Sequence, residues 1–147
     1  MQYSRNFYQI RSNEEIFESI KEEINDIGYY NLPLQDTSSF KEFSKSVKQK
    51  DIAIIGIGGS TLGTRAIYNF LKIANTYEKK LHFFESTDPM DIKARLSKLD
   101  LKNTLFVVIS KSGTTIETIS LFKYFHTLTT IDKSNCVIVS EEQSKLT

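Results

Sequence analysis

From residue 51 onward four short apolar runs return at intervals: Ile52-Ala53-Ile54-Ile55, Leu81-His82-Phe83-Phe84, Leu105-Phe106-Val107-Val108-Ile109 and Val137-Ile138-Val139. Strands buried on both faces read in this near-continuous way. Stretches of helical spacing separate them, over residues 61–74, 89–99 and 115–128. Pro89 behind Asp88 suits the first position of a helix after its cap, and Ile92, Leu96 and Leu99 give that helix an inner face. The alternation predicts an α/β fold, in which right-handed crossover helices flank a parallel sheet.

Upstream of the first run the period is helical only. Ser12 followed by Glu15 has the form of a capping box, and Ile16, Ile20, Ile24 and Ile27 then recur at helical spacing as far as Gly28. After the turn-forming Asn31-Leu32-Pro33, a second amphipathic stretch covers residues 38–48, with Phe40, Phe43 and Val47 on one side. The chain therefore divides into a helical lead-in, residues 1–50, and a sheet domain, residues 51–147. Its 147 residues have room for one domain with a real core. Phe7, Phe17, Phe40, Phe43, Phe70, Phe83, Phe84, Phe106, Phe122 and Phe125 fall mostly on apolar faces and are expected in that core.

A strand order of 2-1-3-4 reverses the winding direction between the first and third strands and opens a crevice outside their carboxyl ends. Two unusual loops end there. Gly56-Ile57-Gly58-Gly59-Ser60-Thr61-Leu62-Gly63 follows the first strand, where glycines let a backbone approach a ligand and Ser60 offers a hydroxyl and an amide. Glycines at such a junction also serve a tight turn with no ligand. Ser110-Lys111-Ser112-Gly113-Thr114-Thr115-Ile116-Glu117-Thr118 follows the third strand and opens a helix. A helix start leaves amides unpaired and carries partial positive charge, and Ser110, Ser112, Thr114 and Thr115 are more hydroxyls than one cap needs. Phosphate is the natural guest of such a turn.

Together the GIGGSTLG and SKSGTTIET segments resemble the paired signatures of the glucose-6-phosphate isomerase family, carried on a sugar-isomerase (SIS) domain. The resemblance is specific over residues 51–118 and extends to the strand-like 135–140. Over the first 50 residues it is loose, limited to a helical lead-in ending near Gly28-Tyr29-Tyr30-Asn31-Leu32-Pro33. It implies a flavodoxin-like, doubly wound parallel sheet. It implies a substrate phosphate held through hydroxyls and amides of Ser60, Ser110, Lys111, Ser112 and Thr115, with Gly59 beside the sugar. Lys111 acts there through its main-chain amide or its ammonium, and a plain surface lysine is the alternative. Glu117 matches a glutamate that helps organise the family's site and is not the base, although a carboxylate is favoured in a helix's first turn whatever the function.

The activity implied is interconversion of glucose 6-phosphate and fructose 6-phosphate, a step of glycolysis and gluconeogenesis, in a homodimer without metal or organic cofactor. Isomerisation needs a base, a group that stabilises an enediolate and a proton donor. In the family the catalytic glutamate, a histidine, a lysine and a Gly-Gly-Arg segment come later, in a polypeptide several times this length. The expectation is therefore a truncated SIS domain lacking its last strand, inactive alone, with an exposed edge strand open to self-association. The alternatives are a non-catalytic SIS module that binds phosphosugars, another SIS-type isomerase, and a nucleotide binder. The last fits poorly, because Thr61 breaks GxGxxG and no Lys-Ser or Lys-Thr follows Gly63, although Glu85 stands where a ribose-binding acid would.

Composition narrows the partners. Nineteen basic residues against eighteen acidic give a net charge of +1, so no overall field recommends nucleic acid or an anionic membrane. No Cys/His/acid cluster has metal-ligand spacing, and His82 and His126 read as structural. The single Cys136 excludes an internal disulfide and reads as a small buried side chain. Met1-Gln2-Tyr3-Ser4-Arg5 opens no apolar leader and no apolar run approaches a membrane span, so a cytoplasmic protein is expected.

Overall fold

The computed structural model describes residues 14–24, 26–74 and 77–146. They belong to two compact units that divide between Lys45 and Ser46. In the first, helix α1 spans Glu14–Glu23, a 3-10 helix spans Gly28–Leu34, and helix α2 begins at Ser38 and ends at Ser46. Ser12 of the expected capping box lies outside the described residues, as does Phe7. Gly28 opens the 3-10 helix as well as following α1, and Tyr30 N–H to Ile27 O at 3.2 Å belongs to its tighter winding. Asp36 Oδ1 accepts from the Ser38 hydroxyl at 2.7 Å and the Ser38 amide at 2.9 Å ahead of α2. Those two bonds hold its carboxyl below the usual range.

The second unit is a parallel sheet. Strands β1 (Asp51–Ile55), β2 (Lys80–Phe84), β3 (Thr104–Ile109) and β4 (Cys136–Val139) stand in the order β2-β1-β3-β4, the order expected. Helix α3 (Gly59–Ala74) links β1 to β2, α4 (Pro89–Leu96) and a 3-10 helix (Leu101–Asn103) link β2 to β3, and α5 (Ile116–Leu128) links β3 to β4. The register pairs Ile55 with Phe84 on one side and with Val108 on the other, so one face carries Ala53, Ile55, Phe84, Phe106 and Val108. Leu121, Phe125 and Ile131 pack on that face, joined at its margin by Ile92 and Leu96 of α4. Phe125 is the keystone, with its ring edge-on to Phe84 at 4.7 Å and 5.4 Å from Phe106. On the opposite face Ile54, Phe83 and Leu105 are buried, with Tyr68 of α3 tilted 6.1 Å from Phe83. Both faces are covered, which is why the strands read as unbroken apolar runs.

Asp88 caps α4 by accepting from the amides of Met90 and Asp91, with Pro89 at the first helical position. Not every aromatic is in the core. Phe17, Phe40, Phe43 and Phe70 are 63%, 63%, 48% and 76% exposed, against 0% for Phe106 and Phe125. The reason is geometric: α3 turns only one side to the sheet, and α2 has no buried residue at all. Cys136 is half-buried, and its burial pushes the thiol pKa up. No helix among the described residues is long and apolar enough to cross a membrane.

Phe125→Ala removes the ring that joins α5 to two strands. It should cost about 3–5 kcal/mol in urea unfolding, and a loss below about 1 kcal/mol would contradict this account of the core.

Candidate functional site

Because β1 and β3 are neighbours, the loops that follow them leave the sheet side by side. Gly56 measures how closely. Its amide donates to Phe84 O at 3.3 Å, and a Cβ there would stand 2.9 Å from Ile109 O and 3.1 Å from Thr61 Cγ2. Only a residue without a side chain lets the start of α3 meet the end of β3. Above this contact lies a cleft of ≈ 520 Å³ lined by Gly59, Ser60, Ile109, Lys111, Val139, Ser140 and Glu141. Gly59, Ser60 and Lys111, taken from two separate motifs, thus face one space.

The other site residues sit within the second loop. Ser110 is 1% exposed; its amide donates to Val139 O at 3.1 Å and its hydroxyl to Thr115 Oγ1 at 3.1 Å. Ser112 and Thr114 pair through their hydroxyls at 2.7 Å, and the Thr114 amide donates to Ser112 Oγ at 3.3 Å. The four hydroxyls therefore bond one another in two pairs. Thr115 stands at the cap position of α5 with no side-chain cap bond, and the first helical bond there runs from Ile119 N–H to Thr115 O at 3.0 Å. Amides at the mouth of α5 are left without a side-chain acceptor, and Glu117 is the acid of its first turn.

Lys111 Nζ is 3.6 Å from Glu141 Oε1, with the two side chains 86% and 59% exposed. A pair that open to solvent contributes little to stability. Two of the lining residues, Ser140 and Glu141, were missed in the sequence. Ser140 Oγ donates to Ser110 O at 2.7 Å and the Glu141 amide to Lys111 O at 3.0 Å, so the turn after β4 braces the loop after β3. The signal was available: Ser140 follows its apolar run directly, as Ser110 follows its own.

At the end of β2, Glu85 takes the Thr61 hydroxyl on Oε1 at 2.5 Å and the Arg65 guanidinium on Oε2. Both carboxylate oxygens are engaged from within, unlike those of an acid that receives a ribose. His82 Nε2 lies 2.8 Å from Asp51 Oδ1 at the far end of the sheet, and His126 meets the Phe122 ring edge-on at 4.7 Å. Among the described residues no group of three or more His, Cys, Asp or Glu is placed to hold a metal ion. One polar group in the core is unpaired: Thr118 is 1% exposed and its hydroxyl has no partner among the described residues.

The family model described as phosphoglucose isomerase matches residues 36–133. The glucose-6-phosphate isomerase of Campylobacter jejuni is 30% identical over 147 residues, covering 95% of this chain and 35% of that protein. That of Treponema denticola is 39% identical over 98 residues, covering 59% and 19%. Among solved structures, a glucose-6-phosphate isomerase from Chlamydia trachomatis superposes with a TM-score of 0.63 at 27% identity, over 97% of this chain and 26% of that one. A hypothetical protein from Thermus thermophilus gives 0.64 at 26% identity, over 80% and 30%. The chain spans 35% or less of the length of each of these proteins.

Gly113 has φ +64°, and a Cβ there would stand 2.9 Å from Lys145 N and Ser144 Cβ. Gly113→Ala should therefore cost about 1–3 kcal/mol in denaturant unfolding, and an unchanged midpoint would count against this loop geometry. Thr118→Val keeps the side chain's shape and deletes the unpaired hydroxyl. Its thermal midpoint should match or exceed the parent's, whereas a loss of more than about 1 kcal/mol would reveal a bond to that hydroxyl.

Proposed function

The chain belongs to the phosphoglucose isomerase family, and from that membership we propose that the cleft between its two loops seats the phosphate of a hexose 6-phosphate. The single observation carrying this reading is that Gly59 and Ser60 of one motif and Lys111 of the other line the same cleft. A dianion there meets the start of α3, whose amides and partial positive charge favour it, and lies against the loop that leads into α5. The absence of a side-chain cap on α5 supports the same view, since a bound phosphate oxygen would take the acceptor role that Thr115 leaves open. A Cβ at Gly59 would meet nothing within 4 Å, so packing does not demand glycine there, whereas a sugar lying close to the backbone does.

In this reading Ser60 donates its hydroxyl and amide, Ser112 turns its hydroxyl from Thr114 to the phosphate, and Thr115 donates its own hydroxyl proton there while still accepting from Ser110. Lys111 adds its amide, with its exposed ammonium as an outer charge. Ser110 shapes the loop rather than touching the ligand, because both its amide and its hydroxyl are committed to Val139 and Thr115. Glu117 organises the mouth of α5. The chemistry this serves is aldose–ketose isomerisation between glucose 6-phosphate and fructose 6-phosphate. That reaction moves a proton between adjacent carbons, and the phosphate grip holds the sugar while a base elsewhere in the enzyme does so.

Titration of the chain with fructose 6-phosphate by calorimetry tests the proposal, with NAD as the control that should not bind. Ser112→Ala should weaken fructose 6-phosphate by about 1.5–3 kcal/mol, roughly 10- to 150-fold, as for loss of one hydrogen bond to a charged group. Equal affinity of parent and variant would remove Ser112 from the site, and tighter binding of NAD would overturn the reading as a whole.

A further inference from the structure

We propose that Glu85 is a positioning residue for the first loop, acting through Thr61 and Arg65; the effect on ligand affinity rests on the phosphate reading above, the effect on the loop does not. Thr61 is 0% exposed and immediately follows Ser60, which lines the cleft. Its hydroxyl is bound to Glu85 Oε1 at 2.5 Å, and its amide donates to Gly58 O at 3.1 Å. One residue thus ties the turn at Gly58 to the end of β2. Arg65 lies four positions on, on the same side of α3, and holds the other carboxylate oxygen. A single carboxylate therefore fastens two successive turns of α3 to the sheet, directly below the residues that face the ligand.

Charge makes the arrangement more than a fastener. A bare carboxylate beside a phosphate seat would repel the dianion, yet the Glu85 side chain is only 15% exposed and its charge is met by a guanidinium. The loop gains an anchor whose charge is met at its own site, and the carboxylate that does line the cleft, Glu141, is paired there with Lys111. Glu85 takes no part in the apolar core of Phe84, Phe106 and Phe125. What it fixes is the position of Gly58, Gly59 and Ser60. Without its oxygen the Thr61 hydroxyl would retain only the longer contact to Gly58 O at 3.4 Å.

The experiment compares the full chain with Glu85→Ala, Thr61→Val and the double variant, using two readouts. In the ligand-free protein, amide hydrogen exchange over residues 58–62 should quicken about tenfold in each variant, while Val108 in β3 stays unchanged. Fructose 6-phosphate affinity should fall about tenfold in each single variant, and the double should lose no more than Glu85→Ala alone, because that change has already broken the bond to Thr61. Faster loop exchange with unchanged affinity would assign the bond to stability alone and overturn the proposal. So would unchanged exchange, or additive losses in the double variant. If Glu85→Ala unfolds the chain, Thr61→Val leaves the Arg65 pair intact and carries the same two readouts. If the parent chain binds no fructose 6-phosphate, the phosphate reading fails, and exchange over residues 58–62 alone then decides for or against the anchor.

Discussion

Parallel pairing of β1 with β2 on one side and β3 on the other is the constraint on which the second unit depends. It makes β1 the centre from which the chain winds both ways, so α3 goes to one face while α4 and α5 go to the other. The central strands β1 and β3 are then largely buried on both sides, while β4 at the edge leaves Ile138 and Val139 partly exposed, and the apolar area removed from water is what holds four short strands together. The same pairing sends two glycine-bearing loops off the sheet from adjacent strands. Adjacency of loops, the condition for a shared ligand, follows directly from adjacency of strands.

Around the cleft the polar groups divide into those spent on the fold and those left over. Ser110, Ser140 and the amide of Glu141 stitch the turns after β3 and β4 to each other. Thr61, Arg65 and Glu85 tie α3 to β2. What remains is the uncapped start of α5 and a backbone bare of side chains at Gly59, with the Lys111 ammonium and the Glu141 carboxylate loosely paired in solvent beside them. The helix start and the open backbone are hydrogen-bond donating, which is the complement of a phosphate.

Much of this was legible in the chain. The four apolar runs match the four strands to within a residue at either end, because strands of a helix-flanked parallel sheet carry apolar residues at nearly every position. Asp88 and Pro89 marked the start of α4 because a cap is a local device, satisfied within three residues. The stripe of Phe40 and Phe43 was equally clear and yet misled. Amphipathicity reports that a face is apolar, not how far it is buried, and both rings are exposed. The 3-10 helix Gly28–Leu34 also escaped notice, since Pro33 reads as a turn and the i to i+3 winding has no period of its own.

The candidate site divides along the same line. Its residue types, two loops of glycine and hydroxyl side chains behind apolar strands, were determined by the sequence, because backbone conformation at a strand-to-helix turn is a local matter. Which hydroxyl serves which purpose was decided only in three dimensions. Ser110 and Thr115 bond each other across five positions, Ser140 reaches back thirty to Ser110, and Glu85 crosses twenty-four to Thr61. The last two of these bonds join residues thirty and twenty-four positions apart and depend on how the strands are placed in register, which no short window of the chain sets.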